Sequence, residues 1–172
     1  PVSIVLQREG AGRVYYRLGM EYSRPTSDQT QIDRGLGLTW SLRSSGGVVG
    51  PTDEVPVGSL LAMDIEVSAR SRVRHVAINL PIPAGLEPVN LSLGGPKVLP
   101  LGGQRGWFVS HEELHPDRAL VFADDLAAGT HHHTVYLRAT TPGSYDMPAA
   151  RAEAMYAPET FGRAPGRQLT VR

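Results

Sequence analysis

Glycine and proline interrupt this chain so often, at 19 and 14 of its 172 positions, that few windows are long enough for a helix. Glycine costs backbone entropy inside a helix, and proline removes a donor and clashes with the preceding turn. Between the interruptions lie short segments with period-two alternation, which puts every second side chain on one face of a β-strand. Val14, Tyr16, Leu18, Met20 and Tyr22 alternate with Arg13, Tyr15, Arg17, Gly19 and Glu21. Leu36, Leu38, Trp40 and Leu42 repeat the pattern, as do Leu61, Met63, Ile65 and Val67, whose neighbours Asp64 and Glu66 are expected to face water. Val76, Ile78, Leu80 and Ile82 follow, then Val89, Leu91 and Leu93. Further strands are expected at residues 107–109, at Leu120 with Phe122, at Val135 with Leu137, and over 151–156 and 169–171.

Turn signals separate these runs: Ser45-Gly46-Gly47, Pro81 with Pro83 and Gly85, Gly94-Gly95-Pro96, Gly102-Gly103 and Pro142-Gly143. Many short strands between Gly and Pro turns indicate an antiparallel sandwich or barrel. A parallel sheet would need amphipathic crossover helices of about a dozen residues, and the sequence offers none. Helix propensity competes over residues 148–155, which Pro148 and Pro158 confine. Helix and edge strand both stay open there, and the strand is favoured. The expectation is one all-β domain over residues 1–172, an antiparallel sandwich or barrel with at most one short helix.

Seventeen basic and seventeen acidic side chains cancel, and the basic ones are scattered. Dedicated nucleic-acid and membrane-surface binders carry an excess of basic charge, so neither class is expected. The longest apolar run covers residues 119–123, against the roughly 20 residues that a spanning helix requires, so no direct membrane insertion is expected. With no Cys, the chain can form no disulfide, thiolate metal site or internal thioester. Its first residues show neither a signal pattern nor an initiating Met, and it reads as a segment of a longer protein.

His111-Glu112-Glu113-Leu114-His115 matches H-E-x-x-H, whose zinc chemistry needs both imidazoles on one face of a helix. Pro116 pushes His115 out of the helical region, and Arg118 and Val121 stand where an extended ligand pattern needs Gly and His. A solvated loop is therefore expected. Alternation puts His131 and His133 on one strand face and His132 on the other, and all three read as surface residues. Asp124 and Asp125, if on a strand, point to opposite faces and cannot share a substrate atom; turn initiation is the ordinary role. Asn90-Leu91-Ser92 is a weak glycosylation sequon. With no nucleophile elbow and no phosphate loop, no catalytic residue, metal or cofactor is expected. Met155-Tyr156 before Ala157-Pro158-Glu159 sets an adaptable thioether beside an amphipathic aromatic. The pair reads either as core or as an exposed edge suited to covering another surface.

Several blocks carry a family resemblance. Residues 12–22 (Gly-Arg-Val-Tyr-Tyr-Arg-Leu-Gly-Met-Glu-Tyr) look like the strand that opens the C-terminal domain of bacterial alpha-2-macroglobulins. Ile32-Asp33-Arg34-Gly35-Leu36 is similar to the family's next signature, and residues 80–88 (Leu-Pro-Ile-Pro-Ala-Gly-Leu-Glu-Pro) resemble its D-P-L-P-A-G-L-E-P turn. Residues 126–131, 138–143 and 152–159 continue the likeness in order. The resemblance implies an antiparallel immunoglobulin-like and macroglobulin-like β-sandwich, the non-catalytic C-terminal module of a large protease trap anchored as a lipoprotein in the periplasm. It implies that a protease cuts a bait segment and is captured by a thioester in a separate domain. The partners implied are that thioester domain, neighbouring macroglobulin domains of the same parent, and target proteases through the parent. Met155 and Tyr156 match the pair that shields the thioester. The rival from another class is an adhesin-like or sugar-binding sandwich that stacks ligands on Tyr15, Trp40 or Trp107.

Overall fold

The structure, a computed structural model, describes residues 3–21, 29–91 and 100–172. The described strands are β1 (Ile32–Arg34), β2 (Leu36–Ser44), β3 (Gly47–Val49), β4 (Glu54–Val55), β5 (Leu60–Ala69), β6 (Val73–Pro81) and β7 (Leu86–Pro88). After them come β8 (His111–His115), β9 (Arg118–Leu126), β10 (Gly129–Ala139), β11 (Gly143–Met147), β12 (Ala150–Ala154), β13 (Ala157–Ala164) and β14 (Arg167–Val171). A six-stranded sheet runs β1-β13-β12-β6-β9-β8 and a five-stranded sheet runs β3-β2-β5-β10-β7. A small sheet of β11-β14-β4 closes one end, and its β14–β4 pair is parallel. The other strand pairs are antiparallel, as the turn chemistry predicts. The helical content among the described residues is one 3₁₀ turn, Pro100–Gly102.

The core lies between the two large sheets. From the five-stranded side come Leu36, Leu38 and Leu42, then Leu61, Met63, Ile65 and Val67, then Val135 and Leu137, all buried. The six-stranded sheet answers with Val76, Ile78 and Leu80 and with small residues: Ala119, Ala123, Ala150, Ala152 and Ala164. Residues 148–155 form no helix. Ala150–Ala154 is a strand that lies inside its sheet, paired on one side with β13 and on the other with β6. Buried Ala alternates there with exposed Arg151 and half-buried Glu153, which pair at 2.7 Å. A helix would have turned one of the three alanines away from the core.

Outside the five-stranded sheet, Arg43 holds Asp64 through two hydrogen bonds of 2.7 and 3.0 Å. Thr134 donates to the same carboxylate at 2.7 Å, and the hydrogen bonds that Arg43 donates to Asp64 raise the Arg43 pKa. Arg43 also donates to the Leu101 carbonyl, and the Tyr136 hydroxyl donates to that of Pro100 at 2.9 Å. These bonds fix the 100–104 segment on the sheet, and burial raises the Tyr136 pKa.

Several expectations fail. Residues 13–21 form no strand, because a strand needs a partner edge and they have none among the described residues; Tyr22 lies outside the described residues. Residues 107–109 make a turn that carries buried Phe108. His111–His115 is strand β8 and no loop, since it completes the edge of the six-stranded sheet against β9. Asp124 and Asp125 sit within β9 and start no turn. Leu93, Gly94-Gly95-Pro96 and Ser92 of the sequon lie outside the described residues.

β13 crosses β2 so closely that a Cβ on Gly162 would collide with the Leu36 carbonyl oxygen, a backbone atom that cannot rotate away. Gly162→Ala is expected to destabilise the fold by about 1–3 kcal/mol, the usual cost of overpacking, which a thermal or urea melt would register. An unchanged midpoint would mean that the sheets can part there without loss.

Candidate functional site

Met155 and Tyr156 form the two-residue turn between β12 and β13, at the tip of the six-stranded sheet. Tight hairpin turns of this length usually need positive φ, hence Gly, Asn or Asp. Neither residue has a positive φ, and the register slips between Glu153 and Ala154. That irregularity absorbs the strand splay an unprimed turn would cause. The turn can therefore carry two large side chains in place of the small residues hairpins favour.

Both side chains face outward, Met155 at 50% and Tyr156 at 81% exposure, so they are not core residues. Their frame is nonetheless fixed. The Met155 amide donates to the His75 carbonyl at 2.8 Å. The His75 ring meets the Tyr156 ring edge-on, with centroids 5.3 Å apart and planes at 90°. His75 lies inside β6 yet has φ of 53°, a left-handed conformation that costs a non-glycine residue on the order of 1–3 kcal/mol. Beside Met155 opens a cavity of about 270 Å³ walled by His75, Ser110, His111, Glu113, Phe122 and Asp124.

Trp107, 76% exposed, lies at the same end of the sandwich, leaning edge-on against His131 with centroids 5.4 Å apart. His131 and His133 share one face, as alternation predicts, but that face is the interior; both are buried and only His132 is exposed. Residues 104–110 fold over them and supply partners. His133 Nδ1 accepts from the Gly106 amide at 3.1 Å, which leaves its proton on Nε2, 3.6 Å from Glu112 Oε2. His131 Nε2 donates to the Ala127 carbonyl at 2.8 Å. Their role is to close this end of the core.

On β8, His111, Glu113 and His115 share the exposed face. Residues four apart on a strand have Cα atoms roughly 13 Å apart, so the backbone does not bring the two imidazoles side by side as one helical turn would. Glu113 instead pairs with each, at 3.3 and 3.1 Å. Asp125 pairs with Arg72 at 3.3 Å, while Asp124 faces the cavity. Among the described residues, no three His, Asp or Glu side chains converge as a metal site would require. The tip displays Met155 and Tyr156 side by side on a hairpin tied to β6 through the Met155 amide.

Sequence reasoning singled out Met155 and Tyr156 but missed His75, whose role depends on a backbone conformation that no pattern announces. Trp107 enters the sequence reading as a strand residue and as a sugar-stacking platform, and its contact with His131 is announced by neither.

The model of the bacterial alpha-2-macroglobulin MG10 domain matches residues 26–159. An alpha-2-macroglobulin homolog of Nostoc is 28% identical over 98% of this chain and 9% of its own length. A crystal structure of Salmonella alpha-2-macroglobulin reacted with methylamine superposes with a TM-score of 0.72 at 25% identity, over 86% of this chain and 10% of that one. Trypsin-activated alpha-2-macroglobulin from Escherichia coli gives a TM-score of 0.74 at 24% identity, over 86% and 11%. The chain thus spans about a tenth of the length of each of these three relatives.

Replacing His75 separates strain from support. His75→Gly is expected to keep or raise the melting temperature, because relief of about 1–3 kcal/mol of backbone strain offsets about 0.5–1.5 kcal/mol of lost ring contact. His75→Val, β-branched at the same φ, is expected to lower it. Melting curves that reverse this order would show that the His75 backbone is unstrained.

Proposed function

Because this chain belongs to the bacterial alpha-2-macroglobulins, as a copy of their MG10 domain, we propose that it is a non-catalytic module of a protease inhibitor and that its Met155–Tyr156 turn lies over the thioester of a neighbouring domain. The observation that carries this reading is the turn itself: two large side chains displayed at 50% and 81% exposure on a hairpin whose backbone is pinned from β6. A reactive acyl bond survives only where water and amines are kept away, and an apolar cover achieves this by desolvation. Burying the exposed parts of both side chains would contribute on the order of 3 kcal/mol. That is enough to hold a lid shut and little enough to release it when bait cleavage shifts the domains. The Salmonella relative was crystallised after reaction with methylamine, the kind of small nucleophile such a lid would exclude.

The chain has no Cys and cannot supply the thiol of a thioester, so its part in this reading is to shield a bond held elsewhere in the parent. Its partners in this reading are the thioester domain and adjoining macroglobulin domains, with target proteases met through the parent. We place that parent in the periplasm as a lipoprotein, to be checked by cell fractionation. The sugar-binding alternative loses one of its three stacking residues, while Tyr15 and Trp107 stay exposed. The Trp40 indole donates to the Pro165 carbonyl at 3.1 Å and is capped by the Arg167 guanidinium, 5.1 Å from its ring.

Thiol release by methylamine from the full-length parent tests the lid. The Met155→Ala/Tyr156→Ala variant is expected to release thiol at least about tenfold faster than wild type, since roughly 1.4 kcal/mol of lost closure suffices for that factor, at an unchanged melting temperature. Equal rates would remove the two residues from the shield. Release from neither protein, even after protease, would mean a parent without a usable thioester and a purely structural module.

A further inference from the structure

From residue 58 onward, three large hydrophobic side chains stand exposed among the described residues: Trp107, Met155 and Tyr156. All three lie at one end of the sandwich. β5 leads through a short turn into β6, and its last residue, Ala69, pairs with the first of β10, so β6 and β10 start at the same end. Tyr156 meets His75 near the start of β6, and Trp107 leans on His131 near the start of β10. Apolar side chains scattered singly over a surface need no explanation, but three gathered at one end mark a contact.

Trp107 is mounted as firmly as the β12–β13 turn. On one side its segment is tied to β10, where the Thr134 amide donates to the Gln104 carbonyl at 2.8 Å and the Gln104 amide to Thr134 Oγ1 at 2.9 Å. On the other side it is tied to β9, where the Ser110 amide donates to the Phe122 carbonyl at 2.8 Å. Between these anchors the Val109 amide donates to the Gly106 carbonyl, and the Gly106 amide to His133 Nδ1. Phe108 enters the core against both buried imidazoles, which leaves its neighbour Trp107 outside. A Cβ at position 106 would strike the Phe108 ring and the His132 carbonyl oxygen, so the turn is packed too tightly to take a side chain there.

We infer that Trp107 is the second foot of the contact made by Met155 and Tyr156, and that both feet rest on the same neighbouring domain of the parent, the one that holds the thioester. The relatives are about ten times longer than this chain, so there is polypeptide to supply that cover. Two side chains on one turn make a contact that can tilt, and tilting admits water. β12 carries one foot and β8 follows directly on the other, and the two strands lie three spacings apart in their sheet, about 14 Å. Feet at that separation resist tilting along the line between them. The cavity beside Met155 has Ser110, the residue after the Trp107 turn, in its wall, so one continuous surface joins the two. A rigidly held tryptophan is also the kind of side chain that dominates protein contacts. This inference rests on the lid reading and adds a residue to it.

Hydroxyl-radical footprinting and thiol release test it on the full-length parent. Oxidation of Trp107 is expected to be at least about fivefold slower in the parent than in this 172-residue chain, since the centre of a contact excludes water. It is expected to rise together with that of Tyr156 once a protease has cut the parent. Trp107→Ala in the parent is expected to release thiol to methylamine at least about fivefold faster than wild type at an unchanged melting temperature, the factor that loss of one dominant side chain implies. Trp107→Phe, which keeps a ring, is expected to stay close to wild type. Equal oxidation of Trp107 in parent and chain would leave the ring open to a ligand from outside the parent and overturn the inference. Wild-type release from Trp107→Ala beside fast release from Met155→Ala/Tyr156→Ala would place Trp107 outside the lid and overturn it equally, with the lid itself standing. Wild-type release from both variants would remove the lid, and the second foot with it.

Discussion

Everything at the tip depends on how closely the two large sheets approach. The five-stranded sheet fills the interior with Leu, Ile, Met and Val, and the six-stranded sheet meets it over β12 and β13 with Ala150, Ala152, Ala164 and Gly162. Large side chains on one side and small ones on the other fill the gap at native density without strain. The alanines let β12 run between β6 and β13 and against β2, and that position makes its terminal turn stiff. Larger residues there would push the sheet outward and move Met155 and Tyr156 with it.

Local rules are broken where the fold displays its apolar tip. The β12–β13 turn lacks the residues a tight hairpin prefers, the ladder slips beside it, and His75 takes a left-handed conformation one strand away. Each departure costs free energy that the rest of the sandwich must supply. Departures of this kind concentrate where a structure serves something other than its own stability. A Gly-containing turn would have made the better hairpin and the poorer contact surface.

Legibility in the sequence followed the partner of each segment. The β2, β5, β6 and β10 alternations were visible because each strand buries one complete face, and their positions held. β13 was missed: Thr160, Phe161 and Arg163 alternate with nothing strongly apolar, and the strand is held by its ladders with β1 and β12 and by Gly162. β8 was missed because its residues are polar, and its inward Glu112 is accommodated by His133. His131 and His133 read as surface residues because nothing in a period-two pattern reveals that the distant 104–110 segment covers them. Met155 and Tyr156 were found through their chemistry and the family likeness, but alternation alone left core and surface open.

The two exposed apolar features differ in a way that bears on what they do. Met155 and Tyr156 are held by a hydrogen bond, a ring contact and two strands, so their geometry exists before any partner arrives. Covering them costs little ordering, and uncovering them leaves the module intact, which is what a releasable contact requires. Residues 13–21 have no such frame among the described residues: no strand pairs with them, so any surface that covers Val14, Tyr16, Leu18 and Met20 must also order the segment that carries them.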